Sequence, residues 1–280
     1  MTHPLAGERI GILGLARSGA AAARLALRRG AEVYASDAAD TPGARANAEE
    51  IRALGGAAEV GGHDVDRLAR SGRIVLSPGI PPSEGILGDS AIVGIPVIAE
   101  IEFAFEQLDA AVIAITGTNG KTTTTALLDH LLHTAGIDAV AGGNIGTALS
   151  EVALREPPPA WAVVEVSSFQ LAGTVTFRPR IGVVTNLAPD HLDRYSGVEA
   201  YYADKARLFQ TATAHSRWVL NGEDERVRAL PGDAPGDRYY FRVASPLTLG
   251  ERGGWLTEDG WLALNLEDGE TRLLPAREMG

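Results

Sequence analysis

The stretch ITGTNGKTTT, residues 115–124, decides how this sequence is read, because it joins a strand-like apolar run, AVIAI, to a helix-like run rich in Thr, Ala and Leu. Amides at a helix N-terminus attract an anion. A lysine and a threonine at the same turn add a point charge and a hydroxyl suited to magnesium. Gly117, Thr118, Asn119, Gly120, Lys121, Thr122 and Thr123 therefore form a candidate triphosphate loop. Its spacing departs from GxxxxGK[ST], since Ile115 stands where the first glycine would be. A turn that merely caps an ordinary helix has a similar outline, but glycines, lysine and threonine at workable positions favour ATP.

Working outward, the first hundred residues alternate RIGILG, EVYASD and RIVLSPG with alanine-rich amphipathic stretches, the first expected as a helix from about Gly19 to Arg29. This is the βαβ rhythm of a parallel sheet. IPVIAE and a helical IEFAFEQL then lead to a second start, followed by DAVAGGN, WAVVEVSS and RIGVVTNL. Their near-continuous apolar character suits strands covered on both faces. The boundary is expected near Gln107 to Ala110, which makes 1–108 a Rossmann-like parallel-sheet domain and 109–280 a second α/β domain with a phosphate loop. Near the end, WLTEDGWLALNLEDGETRLL carries two Asp-Gly pairs between alternating apolar positions, which predicts a small antiparallel section.

Composition narrows the function. The 280 residues include 36 acidic and 25 Lys or Arg residues, a net charge of −11, which argues against general nucleic-acid or anionic-membrane partners. No apolar run is long enough to span a bilayer. MTHPLAGERIGILG enters a strand pattern without signal-peptide features, so a cytoplasmic location is expected. The absence of cysteine excludes disulfides, thiolate metal sites and cysteine nucleophiles.

Glu165 closes an apolar strand at the sheet edge where ligands collect, and a carboxylate there suits magnesium. An ordinary pairing with a neighbouring charge is the competing reading. After the next strand come Asp190, His191 and Asp193, a weak metal signal by themselves. Lys205 is more unusual, because helical spacing puts it on one face with Tyr201, Tyr202, Leu208 and Phe209. Either its stem packs while the ammonium reaches water, or the amine is desolvated, neutral and able to take up carbon dioxide as a carbamate.

The turn GILGLARSGAA spaces its glycines at Gly11, Gly14 and Gly19, not as GxGxxG, and Asp37 ends the second strand. From this segment alone, a dinucleotide such as NAD remains an open ligand.

TGTNGKTT resembles the phosphate loop of the Mur ligase superfamily, which includes folylpolyglutamate synthase. EVSSFQL, NLAPDHLDRY and YYADKARLF resemble runs of its D-glutamate-adding members. The resemblance implies an ATP-dependent ligase of peptidoglycan precursor synthesis. Such an enzyme activates UDP-N-acetylmuramoyl-L-alanine as an acyl phosphate and joins it to D-glutamate, using two magnesium ions. It implies that Lys121, His191 and carbamylated Lys205 act in catalysis, and that Thr122, Glu165, His191 and Lys205 hold metal. It also implies that Asn221 helps hold adenine, and that Leu15, Ala16, Arg17, Ser18, Asp37, Ser77, Pro78, Gly79 and Asn144 line the UDP-substrate cleft. The family has a third, amino-acid-binding domain that these 280 residues do not contain, so full turnover by this chain alone is not expected.

Overall fold

A computed structural model describes residues 4–80, 85–191, 193–266 and 269–278. The strands of the first half are β1 (Arg9–Leu13), β2 (Glu32–Asp37), β3 (Ala57–Val60), β4 (Arg73–Leu76) and β5 (Val97–Ala99). Its helices are α1 (Arg17–Arg28), α2 (Pro42–Ala53), α3 (Val65–Leu68) and α4 (Glu100–Gln107). The strands form one parallel sheet in the order β3-β2-β1-β4-β5. Ile12, Leu13, Ile74 and Val75 are fully buried, as their uninterrupted apolar runs require of strands covered on both faces. The alanine run of α1 lets the helix lie close to the sheet. Gly19 marks the tightest approach, since a Cβ there would sit 1.7 Å from the Gly14 carbonyl oxygen.

The second half begins with β6 (Ala111–Thr116), α5 (Lys121–Thr134), β7 (Ala139–Gly143), α6 (Leu149–Val152), β8 (Trp161–Glu165), α7 (Ser168–Ala172) and β9 (Ile181–Val184). It continues with α8 (Val198–Ala206), β10 (Arg217–Asn221), α9 (Glu225–Ala229), β11 (Asp237–Arg242), β12 (Gly253–Leu256), β13 (Trp261–Asn265) and β14 (Thr271–Pro275). One sheet takes them in the order β14-β13-β12-β11-β10-β9-β6-β8-β7. Pairing is parallel from β7 to β12 and antiparallel across β12-β13 and β13-β14. The expected antiparallel section is therefore an extension of the α/β sheet. No helix among the described residues is long and apolar enough to cross a membrane.

Helix α4, at the junction, carries two carboxylates with no solvent exposure, Glu100 and Glu102. Glu102 accepts from the backbone amides of Val175 (3.0 Å), Thr176 (2.6 Å) and Phe177 (2.9 Å) and from the Thr176 hydroxyl. Charge-assisted bonds of this number offset much of the cost of burying the charge. Helix α6 meets the first half from the other side: Arg24 of α1 pairs with Glu151 at 2.6 Å, Arg29 donates to the Ala153 carbonyl at 3.1 Å, and Ala153 packs into the first sheet's core.

Glu102→Ala would leave the amides of Val175, Thr176 and Phe177 without their acceptor, the Phe177 amide among them buried. Urea unfolding is expected to show a loss of about 3 kcal/mol or more, with Glu102→Gln intermediate because an amide offers one acceptor oxygen. A loss below about 1 kcal/mol would show that these bonds do not fasten the junction.

Candidate nucleotide and metal site

In an open parallel sheet, a crevice forms at the carboxyl ends of two strands whose connections leave in opposite directions. The second sheet has such a point between β6 and β9, since the chain winds from β6 to β7 on one side and returns to β9 on the other. The 117–120 loop leaves β6 there, and Thr185 and Asn186 leave β9 beside it. Asn186 acts as a splint: its Oδ1 accepts from the Asn119 amide at 2.9 Å, its Nδ2 donates to the Asn119 carbonyl at 3.0 Å, and its own carbonyl accepts from the Thr118 amide at 3.0 Å. Gly117 has φ +143°, and a Cβ there would lie 2.0 Å from the Thr185 hydroxyl. Gly120 precedes the 14-residue α5, and no side chain caps that helix. Its first-turn amides thus retain their capacity for an anion.

Both lysines of the sequence, Lys121 and Lys205, reach this loop. Lys121 Nζ donates to the carbonyls of Gly117 (3.1 Å) and Thr118 (2.9 Å), and Lys205 Nζ donates to the same Gly117 carbonyl at 2.8 Å. Lys205 is 1% exposed, which rules out escape of its ammonium to water. Its ammonium also lies 4.6 Å from the centre of the Tyr201 ring. Burial, with a smaller contribution from the Lys121 charge, lowers the Lys205 pKa to about 7, while Asp190 acts in the other direction. Tyr201, Tyr202, Leu208 and Phe209 are buried with it, as the helical spacing predicts, although the backbone tightens into a 3-10 turn over Arg207–Phe209.

Glu165, 1% exposed at the end of β8, accepts from the Thr122 hydroxyl at 2.8 Å and from Asn144 Nδ2 at 2.9 Å. Among the described residues no basic side chain pairs with it, which does not support the ordinary ion-pair reading. A buried carboxylate beside a hydroxyl at the mouth of the phosphate loop fits a hard divalent cation. His191 is half-exposed with φ +53°, set against Phe169 (5.2 Å between ring centres) and Tyr201 (6.1 Å), and its Nε2 lies 3.6 Å from Asp190. Among the described residues, no three His, Cys, Asp or Glu side chains gather into a metal cage. This donor set matches magnesium held by few protein groups together with phosphate oxygens. Asn221 donates to the Thr185 carbonyl at 3.1 Å, which places it on the same edge.

The first sheet has its own reversal between β1 and β4, where the Gly14 turn faces Ser77. Asp37 Oδ2 accepts from the Leu15 amide at 2.7 Å, and Asn47 Nδ2 donates to the Leu15 carbonyl at 2.7 Å, so the 14–18 turn is held on both sides. Arg17 crosses to the second half and donates to the Asn144 carbonyl at 3.4 Å. Asn47 and Asn186 escaped the sequence reading. The only signal for Asn186 is a polar Thr-Asn pair ending the apolar run RIGVV. A cavity of about 1160 Å³ lies at the opposite edge among strand starts, near Arg9, Arg73 and Arg178, and none of the motif residues lines it.

Residues 8–99 match the family model of the Mur ligase MurD-like N-terminal domain, and residues 115–244 match the Mur ligase middle domain. The chain is 39% identical over 237 residues to the UDP-N-acetylmuramoylalanine–D-glutamate ligase of Desulfatibacillum aliphaticivorans, covering 85% of this chain and 53% of the relative. It is 43% identical over 251 residues to the protein of the same name from Anaeromyxobacter dehalogenans, covering 89% and 54%. The chain thus spans about half the length of the curated relatives it matches. Among solved structures, the murein peptide ligase Mpl of Psychrobacter arcticus aligns with a TM-score of 0.60 at 20% identity, over 95% of this chain and 61% of its own, a likeness of fold.

Lys205→Met keeps the stem and removes the amine, and is expected to raise the urea midpoint at pH 6, where the buried ammonium carries its full desolvation cost. The folded pKa of about 7 lies below the unfolded value, so wild-type stability rises with pH above 7 and the variant's advantage shrinks toward pH 10. An advantage that stays constant from pH 6 to 10 would show that the amine is not desolvated.

Proposed function

Because the chain belongs to the Mur ligase family, we propose that it forms the substrate-activating part of an ATP-dependent ligase adding D-glutamate to UDP-N-acetylmuramoyl-L-alanine. In this reading, residues 1–108 hold the UDP-linked substrate, and residues 109–280 hold ATP with magnesium. The observation that carries the proposal is the convergence of both lysines on the Gly117 carbonyl, at a reversal point where an uncapped helix begins and the buried Glu165 carboxylate accepts from Thr122.

The roles follow from this placement. Amides of 117–123 cradle the phosphates, and Lys121 exchanges its loop carbonyls for phosphate oxygens, offsetting charge on the transferring group. Thr122, Glu165 and His191 would hold magnesium, which supplies charge neutralisation at the phosphates. A Lys205 amine that is partly neutral near pH 7 can take up carbon dioxide and release a proton, giving a carbamate whose oxygens would add to the groups available to hold magnesium. Leu15, Ala16, Arg17, Ser18 and Asp37 face Ser77, Pro78 and Gly79 across the first reversal point and would take the uridine and pyrophosphate, with Asn144 bridging the two nucleotides. The substrate carboxylate attacks the γ-phosphorus and releases ADP. The D-glutamate amine then attacks the acyl carbon, expelling phosphate and losing a proton. Asn221 would rest against adenine. Coverage of little more than half of each relative favours a second reading, in which this chain binds both nucleotides without completing the coupling.

Calorimetry is expected to show binding of UDP-N-acetylmuramoyl-L-alanine and of a magnesium–ATP analogue, with NADH inert; binding of NADH alone would refute the assignment. Phosphate release with D-glutamate, compared with L-glutamate, separates the complete ligase from the binding-only reading. Lys205→Ala is expected to cut ATP turnover, or magnesium-dependent nucleotide affinity where there is no turnover, by at least a hundredfold, with partial rescue by short carboxylic acids. Undiminished function in that variant would remove the carbamate from the mechanism.

A further inference from the structure

Glu100, the first residue of α4, has no solvent exposure, yet its carboxylate has only one strong partner. Oε1 accepts from the Ser150 backbone amide at 2.7 Å, while Oε2 is buried and has no hydrogen-bond donor. The donor lies in the first turn of α6, a helix that the first half also grips through Arg24 and Arg29. Immediately before α6 runs a loop closed by the Gly143 amide on the Thr147 carbonyl at 2.8 Å. Asn144 sits within it, tied to β8 by its amide donating to the Glu165 carbonyl at 2.9 Å and by its Nδ2 donating to the Glu165 carboxylate. On the far side, Arg17 of the first half donates to the Asn144 carbonyl.

We propose that Glu100 is a positioning residue that couples the two nucleotide sites, by anchoring α6 so that the 143–147 loop holds Asn144 between Arg17 and Glu165. A rigid element is needed because Asn144 must satisfy both neighbours at once. The loop alone offers one internal bond, whereas α6, pinned by Glu100, Arg24 and Arg29, fixes where the loop ends. A ligand that orders Arg17 shifts the Asn144 carbonyl, and the shift reaches the Glu165 carboxylate through the same residue. A cation that orders Glu165 acts in reverse, as thermodynamic reciprocity requires. Unlike the saturated Glu102, Glu100 keeps one oxygen free of donors; burial lifts its pKa to about 7, with the Glu151 charge disfavouring and the Arg17 charge favouring its ionised form.

The inference rests on the reading above, with a UDP ligand at 14–18 and magnesium nucleotide at 117–122, and is tested by calorimetry on the whole chain. The affinity for UDP-N-acetylmuramoyl-L-alanine is measured with and without a non-hydrolysable ATP analogue and magnesium. Wild type is expected to bind about tenfold more tightly when the second nucleotide is present. In Glu100→Ala this ratio should fall below about twofold, while the affinity for each ligand alone changes less than about threefold, and Glu100→Gln, which keeps the acceptor oxygen, should restore at least half of it. A general loss of stability would weaken both single affinities and would not be repaired selectively in the ratio. Should Glu100→Ala fail to fold, Glu100→Asp, one methylene too short to reach Ser150, carries the same test. A folded Glu100→Ala or Glu100→Asp protein with the wild-type ratio overturns the proposal. Wild type binding both ligands independently overturns it while leaving the functional reading intact, and wild type binding neither ligand overturns both.

Discussion

A parallel sheet can expose its strand ends to a ligand only where its winding reverses, because elsewhere each strand end is roofed by the connection to its neighbour. This chain meets that constraint twice, between β1 and β4 and between β6 and β9. Everything of chemical interest lies at those two gaps: a glycine turn facing Ser77 at one, and a glycine loop splinted by Asn186 at the other. A wide cavity lies at the opposite edge, among paired arginines and strand starts. Concavity alone would have pointed there; the reversal of winding points to the chemistry.

Electrostatics sharpens the second gap. All but two of the 25 basic residues are arginine, and arginines make the ion pairs that tie surface elements together, such as Arg24 with Glu50 and Glu151 or Arg242 with Glu251. A guanidinium stays charged under all ordinary conditions, whereas an amine can lose its proton when desolvated. The two lysines stand at the one place where that difference matters, within reach of the same carbonyl oxygen. Burial beside Lys121 leaves Lys205 with a pKa of about 7, so its charge is adjustable beside the 117–120 loop. Glu165, buried and without a basic partner among the described residues, is the complementary half of that arrangement.

Much of this was legible in the sequence, for physical reasons that differ by residue. The parallel sheets announced themselves because strands buried on both faces need unbroken apolar runs; of the two Asp-Gly pairs read as hairpin turns, Asp259-Gly260 lies in the connection between β12 and β13, while Asp268 lies outside the described residues. Lys205 stood out because helical periodicity placed it in an apolar stripe, and its burial follows from that spacing. The Asn186 splint was not legible, since an asparagine after a strand is indistinguishable from an ordinary loop residue until the neighbouring strand is known. Nor was the role of Asp37, which fastens the Leu15 amide 22 positions earlier. Sequence spacing alone could not reveal that His191 turns toward Phe169 and Asp190, because its left-handed backbone sets that direction.

The contrast between Glu100 and Glu102 shows how one helix serves two purposes. Both carboxylates are wholly buried and two residues apart, so they leave α4 in different directions, and both bind backbone of the second half. Glu102 is saturated by four donors from one short segment, and a carboxylate in that state has nothing left to exchange: it fastens the junction. Glu100 has one donor, one bare oxygen and an arginine whose field it feels without contact. In a low-dielectric interior an unsatisfied charge is costly, and it persists only where the surroundings hold it in place. Its neighbour Glu102 provides that hold, since the helix cannot move to relieve Glu100 without breaking the saturated cluster. The saturated carboxylate thus makes the unsaturated one possible, and the latter lies on the route from the 14–18 turn, through α6 and Asn144, to Glu165 beside the 117–120 loop.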